Sequence, residues 1–366
     1  MASPAELDAM RVAAVASRAA LGRTSPNPPV GAVVLDAAGT VVGNGHTRPP
    51  GGPHAELVAL SEAGERARGG TLVVTLEPCR HTGRTGPCTE AVLAAGIARV
   101  VIACADPTPD AGGGAALLAE AGLDVESGVL ADELALGPLE AWLTSRRTGR
   151  PFVTWKYAAT LDGRSAASDG TSRWVTGESA RADVHRLRSE VDAVLVGVGT
   201  VLADDPMLNA RLPGVPASEV PQPLRVVVDS AGRTPLTARA LAAPEPALVA
   251  MTASAALRDP GYPRVLALPT SHDGHVDLSA LLDRLATDHD VVSVLLEGGP
   301  VLAGAFVAAG LVDRVVGYVA PALLGAGAPA LAAAGVGTIA DAHRLRLDEV
   351  TRFGDDLRLI MRPRRT

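Results

Sequence analysis

The sequence predicts two α/β domains in series, and three observations predict it. The chain has 366 residues, more than one hydrophobic core ordinarily organises, so two domains of about 150 to 200 residues are expected. Short β-rich runs alternate with helical segments along its length, the order that builds mostly parallel or mixed sheets. Near the middle, the charged pair Arg146-Arg147 is followed by the helix-breaking Gly149-Arg150-Pro151. We place the boundary there, giving domains over 1–147 and 151–366.

Each element follows from local signals. Ser3-Pro4-Ala5-Glu6 is a capping box with Pro at the first helical position, and opens an alanine-rich helix to about Leu21. After the Pro-Asn-Pro-Pro turn at 26–29, Val30 to Leu35 and Val41 to Gly43 read as a hairpin. Helices are expected near 54–68, 88–96, 113–122 and 132–146, and strands near 71–76, 99–104 and 123–126. Past the boundary, strands are expected at Phe152–Ala158, Ala193–Val196, Leu224–Asp229, Ala247–Met251, Val292–Glu297 and Arg314–Val319. Helices are expected over 179–189, 278–287 and 300–309, and the Pro-rich stretch from Pro213 to Pro223 reads as a loop.

Composition excludes several functions. A net charge of −7 argues against a broad phosphate-backbone surface, and with aromatics at 2% there is little to stack on bases. No apolar run approaches the roughly 20 residues of a membrane helix. Glu6 and Asp8 precede any apolar stretch, unlike a secretory signal. Three cysteines are too few for a disulfide framework, so a reducing, cytoplasmic setting is expected, with Cys79 and Cys88 available as metal ligands.

Four residues then form one pattern. His54 and Glu56 sit where a Gly/Pro-rich loop becomes a helix, Cys79 follows a strand, and Cys88 opens another helix. An imidazole and two thiolates are three zinc ligands, leaving a fourth position for water, whose pKa the metal lowers to about 7. Glu56 adds the carboxylate that moves the proton to departing ammonia, and His-x-Glu with Pro-Cys pairs is the pattern of zinc nucleobase deaminases. The Cys-x8-Cys spacing departs from the usual Cys-x-x-Cys. Taken singly, each of these residues reads as an ordinary core thiol or loop histidine; the four together favour the metal. Cys104, inside the apolar run Val100 to Ala105, reads as a buried strand residue.

The segment Leu76-Glu77-Pro78-Cys79-Arg80-His81-Thr82-Gly83-Arg84-Thr85-Gly86-Pro87-Cys88 accounts for that spacing. It resembles the deaminase domain of the bacterial bifunctional deaminase–reductases of riboflavin biosynthesis. Asn27-Pro28-Pro29-Val30-Gly31 and His54-Ala55-Glu56 match in the same order. The resemblance continues through Lys156-Tyr157-Ala158-Ala159-Thr160-Leu161-Asp162-Gly163-Arg164, Ser172-Arg173-Trp174 and Gly199-Thr200-Val201-Leu202-Ala203-Asp204-Asp205-Pro206. Val228-Asp229-Ser230 and Glu297-Gly298-Gly299-Pro300 complete it. Arg80 and Gly86 stand where the family usually has Ser and Pro, and His46 falls one place early.

The resemblance implies a cytidine-deaminase-like α/β/α sandwich followed by a dihydrofolate-reductase-like α/β domain, with one zinc per chain and NADPH. It implies zinc-hydroxide deamination of a phosphoribosylated diaminopyrimidine, then reduction of the ribosyl group to ribityl. Implied substrate contacts in the first domain are Asn27, His81 and Arg84. In the second they are Ser172, Leu208, Arg211 and Glu297. Implied cofactor contacts are Ala158, Trp174, Thr200, Asp204, Ser230 and the run Gly299, Pro300, Val301, Leu302, Ala303, Gly304, Ala305.

Read physically, the second domain has no Gly-x-Gly-x-x-Gly, so an ordinary Rossmann site is not supported. Gly298-Gly299 before a helix suits a diphosphate, though strand-Gly-Gly-helix is equally a tight connection. Arg211 suits a bidentate phosphate clamp, though a solvated surface arginine is the commoner case. Lys156 and Asp204 either protonate the sugar as hydride arrives or form a structural ion pair. The expectation is a cytoplasmic homo-oligomer acting on a small phosphorylated pyrimidine, without nucleic acid or membrane. The rivals are a deaminase of tRNA or single-stranded DNA, which the charge opposes, and a non-catalytic nucleotide sensor, which the intact His54, Glu56, Cys79 and Cys88 oppose.

Overall fold

The computed structural model describes residues 1–81, 86–242, 246–258 and 261–364. Arg84, an expected substrate contact, lies outside the described residues. The chain divides into two compact units, Met1–Gly149 and Arg150–Thr366.

The first unit opens with α1 (Pro4–Arg18), whose capping box forms as its residue types dictate: Glu6 N donates to Ser3 Oγ at 3.3 Å and Ser3 N to Glu6 Oε2 at 2.7 Å. The helix ends before Leu21 because the chain tightens into i→i−3 bonds, Ala20 N to Ser17 O at 3.1 Å and Leu21 N to Arg18 O at 3.2 Å. Strands β1 (Gly31–Leu35) and β2 (Val41–His46) make the hairpin. Then come α2 (Ala55–Ala63), β3 (Thr71–Leu76), α3 (Cys88–Ala94), β4 (Arg99–Cys104), α4 (Gly114–Glu120) and β5 (Asp124–Ser127). The helix expected over 54–68 closes at Gly64, beyond which a 3-10 turn takes over. The helix expected over 132–146 is two, α5 (Ala131–Ala135) and α6 (Glu140–Thr148), with Gly137-Pro138 between them.

The sheet order is β2-β1-β3-β4-β5, with β1 antiparallel to both neighbours and β3, β4 and β5 parallel. Two glycines allow the close approaches that set the first site. A Cβ on Gly45 would lie 2.5 Å from Ala55 O at the start of α2, and one on Gly114 would lie 1.9 Å from Pro78 O beside Cys79.

The second unit runs β6 (Phe152–Thr160), α7 (Glu178–Ser189), β7 (Ala193–Gly197), α8 (Val198–Asp204), β8 (Leu224–Val228), β9 (Ala247–Thr252), α9 (Ala253–Ala256), β10 (Val265–Leu268), α10 (Leu278–His289), β11 (Ser293–Leu296), α11 (Pro300–Ala308), β12 (Arg314–Ala320), β13 (Leu345–Phe353) and β14 (Asp356–Pro363). The nine strands order as β10-β9-β8-β7-β11-β6-β12-β14-β13, parallel from β10 to β12 and antiparallel through the last two.

The central strands are apolar throughout because both faces are covered. Alternation sends Leu195, Val294 and Leu296 to one face, against Leu281 and Leu285 of α10 and Phe306 of α11. It sends Val194, Val196 and Leu295 to the other, against Ala180, Val184 and Leu187 of α7. Among the described residues no helix is long and apolar enough to cross a membrane.

Candidate active sites

In the first unit the backbone brings three ligand-type side chains together. His54 is the residue immediately before α2, in extended conformation, and Cys88 is the first residue of α3. Cys79 lies beyond β3, its loop tied to α3 by Thr89 N to Cys79 O at 3.2 Å. His54 Nδ1 is 3.2 Å from Cys88 Sγ and 3.6 Å from Cys79 Sγ. All three ligand atoms fall within 4.8 Å of one another. Tetrahedral zinc with normal Zn–S and Zn–N bonds separates its ligand atoms by roughly 3.5 Å, so this trio has the spacing of a zinc shell.

Electrostatics point the same way. Hydrogen bonding from Cys88, then from His54, draws the Cys79 thiol down to about 4 against the effect of burial. The same bond, with burial, drives Cys88 up. One thiolate thus opposes the next, and a dication between them removes that opposition. Glu56 is 3% exposed, and burial pushes its carboxyl up to about 7 against the partial relief of a backbone N–H and His54. A carboxyl poised there can take up or give a proton near neutrality.

Asn27 is half-buried in the turn after α1, with its N–H on Thr24 O at 2.8 Å, and His81 is exposed. His46 pairs with Arg48 Nη1 at 3.1 Å. Cys104 is buried, as its apolar run predicts. Sequence reasoning passed over Glu77, a buried carboxylate taking N–H groups from Asp106 at 3.1 Å, Gly113 at 3.1 Å and Ala115 at 2.8 Å. It fixes the loop against which Arg80 N, next to Cys79, bonds Ala111 O at 3.3 Å. Its signal was an acidic residue at the end of an apolar strand.

In the second unit a cleft of about 1590 Å³ opens at the carboxyl ends of β6, β7, β8 and β11, where open α/β sheets place their ligands. Lys156, Ala158, Ser172, Trp174, Thr200, Asp204, Leu208, Arg211, Ser230 and Glu297 all line it, with Gly299, Pro300, Val301, Leu302 and Ala305. Ala303 and Gly304 do not: helical periodicity turns Ala303 into the core and Gly304 onto the backbone of Ala333.

Lys156 Nζ lies 3.6 Å from Glu297 Oε2, while Asp204 accepts from Ser172 Oγ at 3.0 Å. Lys156 therefore pairs with Glu297, not Asp204. Burial lowers the Lys156 pKa, with Glu297 opposing. Burial also pushes the Glu297 carboxyl upward, but Arg188, then Lys156, hold it at about 2. Gly299 N donates to Thr200 Oγ1 at 3.0 Å, and Trp174, 70% exposed, carries the Arg181 guanidinium 4.5 Å over its ring. Arg181, His185 and Arg188 went unread in the sequence, although their i, i+4, i+7 spacing puts them on one helix face.

Fold and sites together define a zinc-type deaminase joined to a nicotinamide-dependent reductase. The model for the cytidine and deoxycytidylate deaminase zinc-binding region matches residues 5–104, and that for the RibD C-terminal domain matches 151–359. The riboflavin biosynthesis protein RibD of Mycobacterium tuberculosis is 48% identical over 353 residues, 96% of each chain. That of Escherichia coli is 41% identical, covering 91% of this chain and 93% of its own. The solved structure of Acinetobacter baumannii RibD superposes with TM-score 0.88 at 39% identity, covering 99% of both chains. A Thermotoga maritima diaminohydroxyphosphoribosylaminopyrimidine deaminase/5-amino-6-(5-phosphoribosylamino)uracil reductase gives TM-score 0.86 at 34% identity, covering 98% of this chain and 99% of its own. This chain belongs to the RibD family, the bifunctional deaminase–reductases of riboflavin biosynthesis.

Proposed function

We propose that the first unit removes the 2-amino group of 2,5-diamino-6-(5-phosphoribosylamino)pyrimidin-4(3H)-one as ammonia. The second then reduces the ribosyl group of 5-amino-6-(5-phosphoribosylamino)uracil to ribityl. The Thermotoga relative is described by these two activities.

In the first unit His54, Cys79 and Cys88 would hold zinc, which would lower the pKa of the attacking water. Glu56 takes a proton from the attacking water and delivers it to the leaving nitrogen. Its burial keeps the carboxyl near the working pH.

In the second unit Gly299, Thr200 and the first free amides of α11 would hold the diphosphate of NADPH, which would supply hydride. The size of the cleft accommodates that dinucleotide and the substrate together. Ala158, Trp174 and Ser230, which line the same cleft, would contact the cofactor, and Arg211 would receive the substrate phosphate. Lys156, held at Glu297, donates the proton that accompanies reduction at the ribose C1. Asp204 orients Ser172 toward the sugar.

The observation carrying this reading is the buried Glu56 beside three converging zinc-type ligands, in a chain whose other half holds a dinucleotide-sized cleft. Incubation with the diaminopyrimidine phosphoribosyl substrate, read by mass spectrometry, tests it. Without NADPH the deaminated product should accumulate, and with NADPH the ribityl product; an unchanged substrate mass in both would end the reading. The reading extends to a cytoplasmic homo-oligomer that uses no nucleic acid. Exposed Leu347 and Val350 on the edge strand β13 support self-association, which sedimentation would measure.

A further inference from the structure

We propose that His185 is a positioning residue that aims Arg211 at the phosphate of the reductase substrate; the inference rests on the reading of Arg211 given above. His185 projects from α7 into the cleft between Arg181 and Arg188. Its Nδ1 lies 3.1 Å from the carbonyl oxygen of Asn209. A carbonyl only accepts, so Nδ1 carries the hydrogen and, in the neutral ring, Nε2 presents a lone pair. Arg211 Nη2 sits 3.3 Å from that Nε2, and a guanidinium only donates. The two partners thus fix one tautomer from opposite sides of the ring.

Arg211 is exposed, and the bond to His185 is its only hydrogen bond or ion pair among the described residues. A free arginine on a loop samples many rotamers, and ordering such a side chain on ligand binding costs conformational entropy. One corner of the guanidinium anchored on an imidazole leaves its other N–H groups facing the cleft in a defined direction. The loop beneath is held as well. Asn209 O also receives Arg188 Nη1 at 3.1 Å, and Leu208, at φ +57°, is buried in the core. That left-handed residue turns the Asn209 carbonyl to α7, so the helix fixes the loop carrying Arg211 at both backbone and side chain.

Three charged groups face the imidazole: Arg188 from its own helix and Arg211 from the loop favour the neutral ring, and Glu297 beyond β11 opposes them. Burial, then the two arginines, press the His185 pKa down to about 4. The acceptor lone pair is therefore present throughout the neutral range.

The test uses the full-length enzyme, NADPH, the deaminated intermediate and the same compound lacking its phosphate. His185→Leu should raise KM for the phosphorylated substrate at least about 10-fold, the size of a lost hydrogen bond to a charged group. Its kcat should stay within about twofold, and KM for the unphosphorylated compound should not move. His185→Gln, whose amide oxygen reaches the Nε2 position, should restore KM. His185→Asn, which keeps only the bond to Asn209 O, should not. Calorimetric binding of ribose 5-phosphate to the same proteins should rank them identically. Equal rescue by Asn and Gln, or equal KM changes on both substrates, would overturn the proposal, and this contrast serves even if the Leu variant folds poorly. Arg211→Ala separates the two levels. If it leaves the phosphorylated KM unchanged, the phosphate-clamp reading itself fails; if it raises KM while His185→Leu does not, only the positioning role fails.

Discussion

Arg188 holds Glu297 through two N–H···O bonds, Nε to Oε1 at 2.6 Å and Nη2 to Oε2 at 3.0 Å, and Lys156 Nζ approaches the same carboxylate at 3.6 Å. One carboxylate therefore balances two cations inside the reductase cleft, its side chain only 7% exposed.

Stability should depend on that carboxylate in a defined window. Its pKa falls from the ordinary 4.5 to about 2 in the folded chain. A depressed carboxylate stabilises the fold above its unfolded pKa, and the contribution is lost as pH falls from about 4.5 through about 2. The pair and its desolvation are worth on the order of 3 kcal/mol. Glu297→Gln, which leaves Arg188 and Lys156 without a counter-charge, should destabilise by about that much at pH 7 and progressively less toward pH 3. Denaturation at both values measures it, and a deficit independent of pH would refute the assignment.

Metal content should follow the His54, Cys79 and Cys88 trio. The purified chain should hold one zinc, and Cys88→Ser should lose it, because a neutral hydroxyl is a far poorer ligand than thiolate. Stripping the metal with a chelator should stop ammonia release while NADPH oxidation on the deaminated intermediate continues. Elemental analysis showing full zinc in Cys88→Ser would remove the cysteine from the shell.

How far the sequence was legible depends on whether the cause of each feature is local. Ser3 and Glu6 cap a helix within four residues, and β3 and β4 fall on the runs their apolar residues mark. The zinc-type residues were legible because each sits at an element end with a chemistry of its own. The β13–β14 hairpin was not read: β13 is mostly exposed and lacks a continuous apolar run. Arg188 was missed for a different reason. An arginine on an amphipathic helix looks solvated until the fold brings Glu297, 109 residues away, against it. The ion pair of Lys156 was likewise beyond the sequence, which left one with Asp204 as an open alternative, since only the β6–β11 pairing places Glu297 beside it.

The cofactor reading makes Gly299 sensitive to bulk. Its φ of −62° suits any residue, so the requirement is space. A Cβ there would lie 3.2 Å from Thr200 Oγ1, the acceptor of its own N–H. Gly299→Val would push that hydroxyl aside and fill the approach to the α11 amides. KM for NADPH should rise at least about 10-fold, in line with loss of hydrogen bonds to a charged group, with deamination unchanged. An unaltered NADPH titration would move the diphosphate elsewhere.

The two activities should separate by single substitutions in the two units. Glu56→Gln keeps the size of the side chain but removes the group that carries the proton, and Glu56 is not among the three clustered ligands. A positioned acid–base group contributes about 10²- to 10⁴-fold, so ammonia release should fall by at least the lower figure. Zinc content should stay at one per chain, since a Glu in this position lies outside the metal shell. Given the deaminated intermediate, the same variant should oxidise NADPH at the unmodified rate. The converse substitution is Lys156→Ala. It should release ammonia normally and leave the ribose unreduced, because Lys156 lines the reductase cleft. Losing its charge also leaves Glu297 to Arg188 alone, so a stability control by thermal melting belongs beside the assay. Each chemistry has its own residues within one compact unit, His54, Glu56, Cys79 and Cys88 before Gly149 and Lys156 and Glu297 after it. Loss of NADPH oxidation on the deaminated intermediate in Glu56→Gln, with zinc and melting temperature intact, would show that the reductase depends on the deaminase carboxylate and that the sites are not independent.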